Sequence, residues 1–349
     1  MEPQMAGISR GGMRRLRDAA WRCKTLFASS ALILMYHRVT ELPNDPYLMA
    51  VTPKHFAEQM EVIRRYACPI PLRQMVKALR DGKVPKRGLA VTFDDGYADN
   101  LYNAKPLLER YDIPATVFVT TGHVGHQREF WWDELDRVLL QPGQLPARLE
   151  LRLTGRAWHW EIGEATTYTT EDFQRDRAWN IEQKESPTRR HHLHRSLYQL
   201  LHNSTETERK QLLRQLRTWA GAASKGRPSH RTLAHHELVH LAESNLIEIG
   251  AHTVSHPILS TLSVFAQRNE IKRSRGHLEA ILNRPVTSFA YPHGSYTKET
   301  LAVVREIGFA CGSSSEPDAV RKNADCFQLP RIVARDWDSE TFIRWLYRW

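Results

Sequence analysis

Short apolar runs of strand length punctuate this chain, and segments with helical periodicity lie between them. The runs cover 31–36, 89–93, 115–119, 246–250, 287–290 and 309–311. Helical patterns open at Thr52-Pro53, with Pro53 in the favoured first turn and Phe56, Met60 and Ile63 on one face. They recur at 72–81, 101–111, 264–283 and 297–307. Strands alternating with helices predict βαβ units, hence an α/β chain built on a parallel sheet or barrel.

Residues 142–230 break this rhythm. Leu149-Glu150-Leu151-Arg152-Leu153 alternates like a strand, Gly155 turns it, and 157–162 returns. Polar helical stretches rich in Arg, His and Gln follow. This segment reads as a mostly helical insertion with its own small layer. The barrel then comprises 31–141 and 231–349, preceded by a basic leader over 1–30.

Composition removes several alternatives. Apolar residues at 41% and charged residues at 25% are globular values, which exclude wholesale disorder. No run of about 18 apolar residues exists to span a bilayer. Cys23, Cys68, Cys311 and Cys326 show no Cys-x-x-Cys spacing, so a zinc ribbon and a thioredoxin motif are unsupported. The net charge of +10 is spread along the chain, and no nucleic-acid-binding fingerprint accompanies it. Arg10, Arg14, Arg15, Arg17, Arg22 and Lys24 precede the 31–36 run. The run is short for a secretion signal, and the small residues Ala28-Ser29-Ser30 stand before it, not after it. The expectation is a cytoplasmic protein or one peripheral to the inner membrane face, with the basic leader as the candidate membrane contact.

Four segments carry candidate chemistry. The 89–93 strand ends in Asp94-Asp95-Gly96. Adjacent carboxylates repel unless a cation or a proton intervenes. One carboxylate on a metal and one acting as a base would resolve the conflict; a helix-capping turn is the plainer alternative. The 246–250 strand leads into Gly250-Ala251-His252-Thr253-Val254-Ser255-His256-Pro257, whose two His could share a metal if they lie on one helical turn. His236-Glu237-Leu238-Val239-His240 is a zincin string. Glu243 and Leu246 occupy the positions where a metzincin needs Gly and His, leaving Glu270 as a candidate third ligand. Leu238, Leu241 and Ala242 instead predict an amphipathic helix with His236, Glu237 and His240 turned to solvent. The fourth segment, 288–296, is a strand ending in the aromatic turn Tyr291-Pro292-His293-Gly294, suited to backbone N–H donation and sugar stacking. Trp131 and Trp132, just before the insertion, are either core residues, the plainer reading, or exposed faces suited to sugar rings.

In this order the segments resemble the polysaccharide deacetylase family, the NodB-homology or carbohydrate esterase 4 group. Thr92-Phe93-Asp94-Asp95-Gly96 resembles its first motif, His252-Thr253-Val254-Ser255-His256-Pro257 its second, and Tyr291-Pro292-His293-Gly294 a variant of its third. Tyr36-His37-Arg38-Val39 is similar to the leading motif of the subgroup that deacetylates poly-N-acetylglucosamine. The resemblance implies a distorted, TIM-like (β/α) barrel of about seven strands, and a divalent metal, zinc foremost with cobalt or nickel open. It implies Asp95, His252 and His256 as metal ligands, Asp94 as general base and His37 as general acid. The usual third-motif Arg is absent from 286–292, and Arg331 in Leu329-Pro330-Arg331-Ile332 is the expected substitute. A late Leu-x-x-His motif is also missing, so the acid role rests on His37. The implied reaction removes N-acetyl groups from an N-acetylated glycan. The rivals are a zinc protease using His236, Glu237 and His240, and a catalytically silent glycan-binding scaffold.

Overall fold

The computed structural model describes residues 30–126 and 128–349. The basic leader, apart from Ser30, lies outside the described residues, and so does Cys23. The main sheet contains β1 (Leu32–Tyr36), β2 (Cys68–Pro69), β3 (Gly88–Phe93), β4 (Ala115–Val119), β5 (Ile247–Ala251), β6 (Ser288–Ala290), β7 (Cys311–Ser313) and β8 (Ile332–Val333). Seven of these run in the order β7-β6-β5-β4-β3-β1-β8, every neighbouring pair parallel, with β2 paired to the start of β3. The sheet curls into a distorted barrel. A bridge from Ser313 to Leu329 draws β7 toward the segment that leads into β8.

The α-helices among the described residues are α1 (Pro53–Tyr66), α2 (Leu72–Arg80), α3 (Lys105–Tyr111), α4 (Trp131–Leu139), α5 (Thr170–Asp176), α6 (Arg189–His202), α7 (Glu206–Ala220), α8 (His235–Ala242), α9 (Val264–Leu282), α10 (Lys298–Ile307) and α11 (Ser339–Leu346). Strand side chains divide between two cores by the period-2 rule. Leu32, Leu34, Val91, Val117 and Ile249 join the layer packed against α1, where Phe56, Met60 and Ile63 are fully buried. Ile33, Ala90, Phe118 and Ala290 share the other core with Leu72, Met75, Val76 and Leu79 of α2. Space opposite Phe118 is short: a Cβ on Gly250 would stand 2.4 Å from its ring. α1 begins as its sequence requires, with Thr52 Oγ1 accepting from the His55 backbone N–H at 3.3 Å and Pro53 in the first turn.

Two expected boundaries move for local reasons. The strand expected at 309–311 is Cys311–Ser313, because Gly308 (φ +91°) ends α10 and the Phe309 N–H returns to the Val304 carbonyl. The helix expected over 101–111 begins with a π-helical turn, Asn100–Ala104, before α3. Such turns collect near functional sites.

In the 142–230 segment the strand pair appears as an antiparallel hairpin, Arg148–Leu153 with Arg156–Glu161. The hairpin shares an apolar core with α4, α6 and α7 that includes Trp131, Trp132, Leu149, Leu197 and Leu212. Of the two readings of the Trp pair, the core one holds: Trp131 is 6% and Trp132 5% exposed. α4 has to seat this second layer on the barrel, and its Trp pair fills that interface. Among the described residues no helix is long and apolar enough to cross a membrane.

Phe56 packs against Tyr36 at 5.2 Å and Phe93 at 5.9 Å, directly under the strand ends that carry His37 and Asp94. Phe56→Ala should lower stability by about 3–5 kcal/mol, as large-to-small changes in a filled core do. Denaturant unfolding of the two proteins checks this.

Candidate active site

The parallel strands put the candidate residues on loops at their carboxyl ends, where barrel active sites are built. His37 follows β1, Asp94 and Asp95 follow β3, His252 and His256 follow β5, and His293 follows β6. Together with Tyr47, Trp132, Ile181, Tyr198 and Arg335 they line one cavity of about 220 Å³. A larger cleft of about 600 Å³ lies at the amino ends of β5 and β6 and holds none of these residues.

Asp94 and Asp95 are both buried, yet they have opposite partners. Arg331 grips Asp94 in a bidentate pair, Nη1 to Oδ1 at 2.6 Å and Nη2 to Oδ2 at 2.8 Å. The guanidinium is itself fully buried. Its Nε donates to Ser314 O at 2.8 Å, its Nη1 approaches Thr92 Oγ1 at 3.3 Å, and it lies over the Phe118 ring. Burial alone would raise the Asp94 pKa, but the Arg331 charge, followed by His252 and the Arg331 hydrogen bonds, outweighs it and holds the carboxyl down at about 2. For Asp95, burial and the neighbouring Asp94 and Asp133 charges all push the pKa well up.

Asp95 Oδ1 is buried without a hydrogen-bond partner. It stands 3.3 Å from His256 Nε2 and 3.7 Å from His252 Nε2. His252 Nδ1 is 2.8 Å from the Ala290 carbonyl, which assigns the proton to Nδ1 and turns the Nε2 lone pair toward Asp95. Burial holds both imidazoles below their usual pKa, so they are neutral donors at pH 7. Three lone pairs thus converge, with all ligand atoms within 4.8 Å of one another. Ligands at about 2.1 Å from a common tetrahedral ion sit about 3.4 Å apart, close to the two distances from Asp95. These residues fit a divalent metal.

The two His do not share a helical turn, the one condition under which their spacing by itself would have brought them together. Thr253 (φ +62°) and His256 (φ +55°) adopt left-handed conformations in an irregular loop. Glu270, considered from sequence as a zincin ligand, instead secures this loop, accepting from the Val254 and Ser255 N–H groups and from Ser255 Oγ, each at 2.9 Å. His37 is held by a residue the sequence reading passed over: Asn100, in the π-helical turn, donates to the His37 carbonyl at 2.9 Å. Asp99 beside it takes the Val39 N–H and Arg38 Nε, both at 3.0 Å. Burial first, then the charges of Arg331, His252 and Arg335, lowers the His37 pKa to about 4 against the opposing pull of Asp94.

The zincin string does not form a site. His236 and His240 are exposed on α8, as expected, but Glu237 is 4% exposed and points inward. Arg231 holds it through Nη1 at 2.6 Å and Nη2 at 2.7 Å, the Ala234 N–H donates to it at 2.8 Å, and Tyr102 donates its hydroxyl. A carboxylate so engaged closes the helix N-terminus and has no free lone pair for a general base.

A parallel α/β barrel with an Asp-His-His cluster and an Arg-bound carboxylate at its strand ends defines a metal-dependent hydrolase. The family model for polysaccharide deacetylases matches residues 81–145 and 202–312, half of the chain. The protein belongs to the polysaccharide deacetylase family, whose members are metal-dependent. It is 22% identical over 334 residues to the poly-β-1,6-N-acetyl-D-glucosamine N-deacetylase of Staphylococcus aureus, an alignment covering 92% of this chain and 83% of the relative. Among solved structures it resembles IcaB from Ammonifex degensii (TM-score 0.57, 16% identity, 92% of this chain and 98% of that one). It also resembles the Streptococcus pyogenes deacetylase PplD in complex with acetate (TM-score 0.52, 20% identity, 91% and 98%). At these identities the structural likenesses speak for the fold.

The Glu237 environment yields a pH-dependent expectation. The hydrogen bonds from Arg231 lead in lowering its pKa to about 2, against about 4.3 in an unfolded chain. The stability it contributes is therefore complete above about pH 5 and is lost as pH falls toward 2. Glu237→Gln should cost about 1.5–3 kcal/mol at pH 7, the range for hydrogen bonds to charged groups, and should flatten the acid limb of the stability profile. Turnover by the folded variant should equal that of the wild type. Urea unfolding from pH 7 to pH 3 checks the first two points; an acetate-release assay checks the third.

Proposed function

We propose that this deacetylase acts on a polymer of N-acetylglucosamine of the poly-β-1,6 type, with Zn²⁺ held by Asp95, His252 and His256. One observation carries the residue assignment. Of two adjacent buried carboxylates, one is neutralised by a bidentate Arg331 and the other offers a bare oxygen to two neutral imidazoles. The substrate assignment rests on similarity over most of the chain to the staphylococcal poly-β-1,6-N-acetyl-D-glucosamine N-deacetylase.

When bound, the metal would polarise the amide carbonyl and make water a stronger acid. Asp94 takes the proton from the attacking water. Arg331 positions Asp94 and keeps it ionised at neutral pH, at some cost in basicity. His37 protonates the leaving amine, which departs badly as an anion. Because burial leaves His37 neutral at pH 7, it must gain its proton in the substrate complex, aided by the Asp94 charge. Products are acetate and a free amino sugar. The cavity of about 220 Å³ has room for a single sugar ring near the reacting atoms. The barrel over 31–141 and 231–349 supplies the reacting groups, and the 142–230 insertion supplies a wall of the cavity through Ile181 and Tyr198.

Acetate release from N-acetylglucosamine oligomers, with and without a chelator, tests the activity; turnover that survives metal removal overturns the reading. Asp95→Ala and His252→Ala should each lose bound metal and activity. Asp94→Asn should keep its metal and lose turnover at least ~100-fold, the scale of general-base removal. Metal analysis beside kcat separates the two classes. Tyr198→Ala should keep the metal and raise KM for longer oligomers several-fold while changing kcat little, measured across an oligomer length series.

A further inference from the structure

Metal-binding imidazoles are usually aimed by a hydrogen bond from the second ring nitrogen. His252 has one, to the Ala290 carbonyl. His256 does not: its Nδ1 is buried without a partner. Aromatic rings surround it instead. Trp132 lies 5.2 Å away at 64°, Phe130 6.2 Å away at 67°, and His293 4.5 Å away at 74°. Phe130 is nearly parallel to Trp132 at 4.5 Å and is backed in turn by His123 at 4.1 Å.

The orientation of Trp132 is set by polar groups. Its Nε1–H donates to Tyr97 Oη at 2.9 Å, and the Tyr97 hydroxyl donates to Asp133 Oδ2 at 2.6 Å. An indole N–H can only donate, so Trp132 donates to Tyr97, which leaves the Tyr97 hydroxyl proton free to be directed at Asp133. Arg38 stacks 4.5 Å over the Tyr97 ring and anchors on Asp99. All three members are at most 6% exposed. Tyr97 lies two residues beyond Asp95, so one chain of contacts joins the loop bearing Asp95 to the ring packed on His256.

We infer that Trp132 is a positioning residue for His256, and that the Tyr97–Asp133 hydrogen-bond chain aims it. This rests on the assignment of Asp95, His252 and His256 as metal ligands. Rings packed edge to face restrict an imidazole that lacks a hydrogen bond and keep its Nε2 directed at Asp95. Loss of the brace should weaken metal binding in the protein without substrate, by the ~10–100-fold typical of removing a partner that orients a ligand.

The test is competition of the full-length apoprotein with a chromophoric chelator for Co²⁺, together with the visible spectrum of the bound Co²⁺. His252→Ala is the reference and should abolish binding. Trp132→Leu should weaken binding at least 10-fold and alter the spectrum. Trp132→Phe, which restores a ring but not the N–H, should recover part of the loss. Tyr97→Phe, which keeps both rings and nearly the full volume, should weaken binding several-fold even if Trp132→Leu does not fold. Wild-type affinity and spectrum in Tyr97→Phe and in every folded Trp132 variant, with binding lost in His252→Ala, would overturn the brace alone and leave Trp132 a cavity wall. Tight binding by His252→Ala would overturn the ligand assignment and the brace with it.

Discussion

Two carboxylates on consecutive residues, both buried, would repel by about 4 kcal/mol at 4 Å under an effective dielectric near 20. The structure resolves this through Arg331. Its bidentate grip neutralises Asp94, and Asp95 is left with a buried oxygen that has no hydrogen-bond partner. Arg331 immediately precedes β8, the strand that pairs with β1 at one end of the sheet. Its side chain runs up the barrel interior, over Phe118 of β4, to reach Asp94 at the end of β3. The interior of the barrel and the electrostatics of the site therefore share one buried charge.

The loops that carry chemistry are secured by groups that carry none. Asp99, Asn100 and Asn103 hold the backbone from His37 to Val39, and Glu270 holds the loop between the two histidines. The first three reach from the turn after β3 to the loop after β1, and Glu270 reaches from α9 to the loop that holds the left-handed residues Thr253 and His256. Backbone strain of this kind survives only where surrounding contacts over-determine it. Arg331 imposes a trade-off as well. A carboxyl held near pKa 2 is always ready to accept a proton, yet it is a weaker base than a free one.

The second apolar layer gives the molecule its asymmetry. α4 belongs to it by packing while delivering Trp132 to the cavity, and α6 brings Tyr198 to the same wall. His202, at the end of α6, meets His293 at 4.8 Å. One side of the cavity is thus barrel and the other is layer, so the segment that interrupts the strand–helix rhythm is also one that shapes access to the reacting groups.

By itself the sequence determined the strand-ending motifs, the alternation that makes a parallel barrel, and the residue types that meet at Asp94, Asp95, His252 and His256. These are local properties, legible because side-chain period and strand-end chemistry depend on neighbours in the chain. The inserted hairpin was legible for the same reason. Tertiary structure decided the rest. The His-Glu-x-x-His string has the right letters, but Arg231 and the α8 N-terminus claim Glu237, and no local pattern announces that. Trp131 could pass for a sugar platform until α6 and α7 cover it, while Trp132 is buried with one side on the cavity. Asn100 and Glu270 carry no motif, since most of their partners are backbone atoms of loops that follow other strands. Which carboxylate of the Asp94–Asp95 pair is neutralised within the protein was settled by Arg331, more than 230 residues away, because in a low-dielectric interior the nearest fixed charge sets the state of each group.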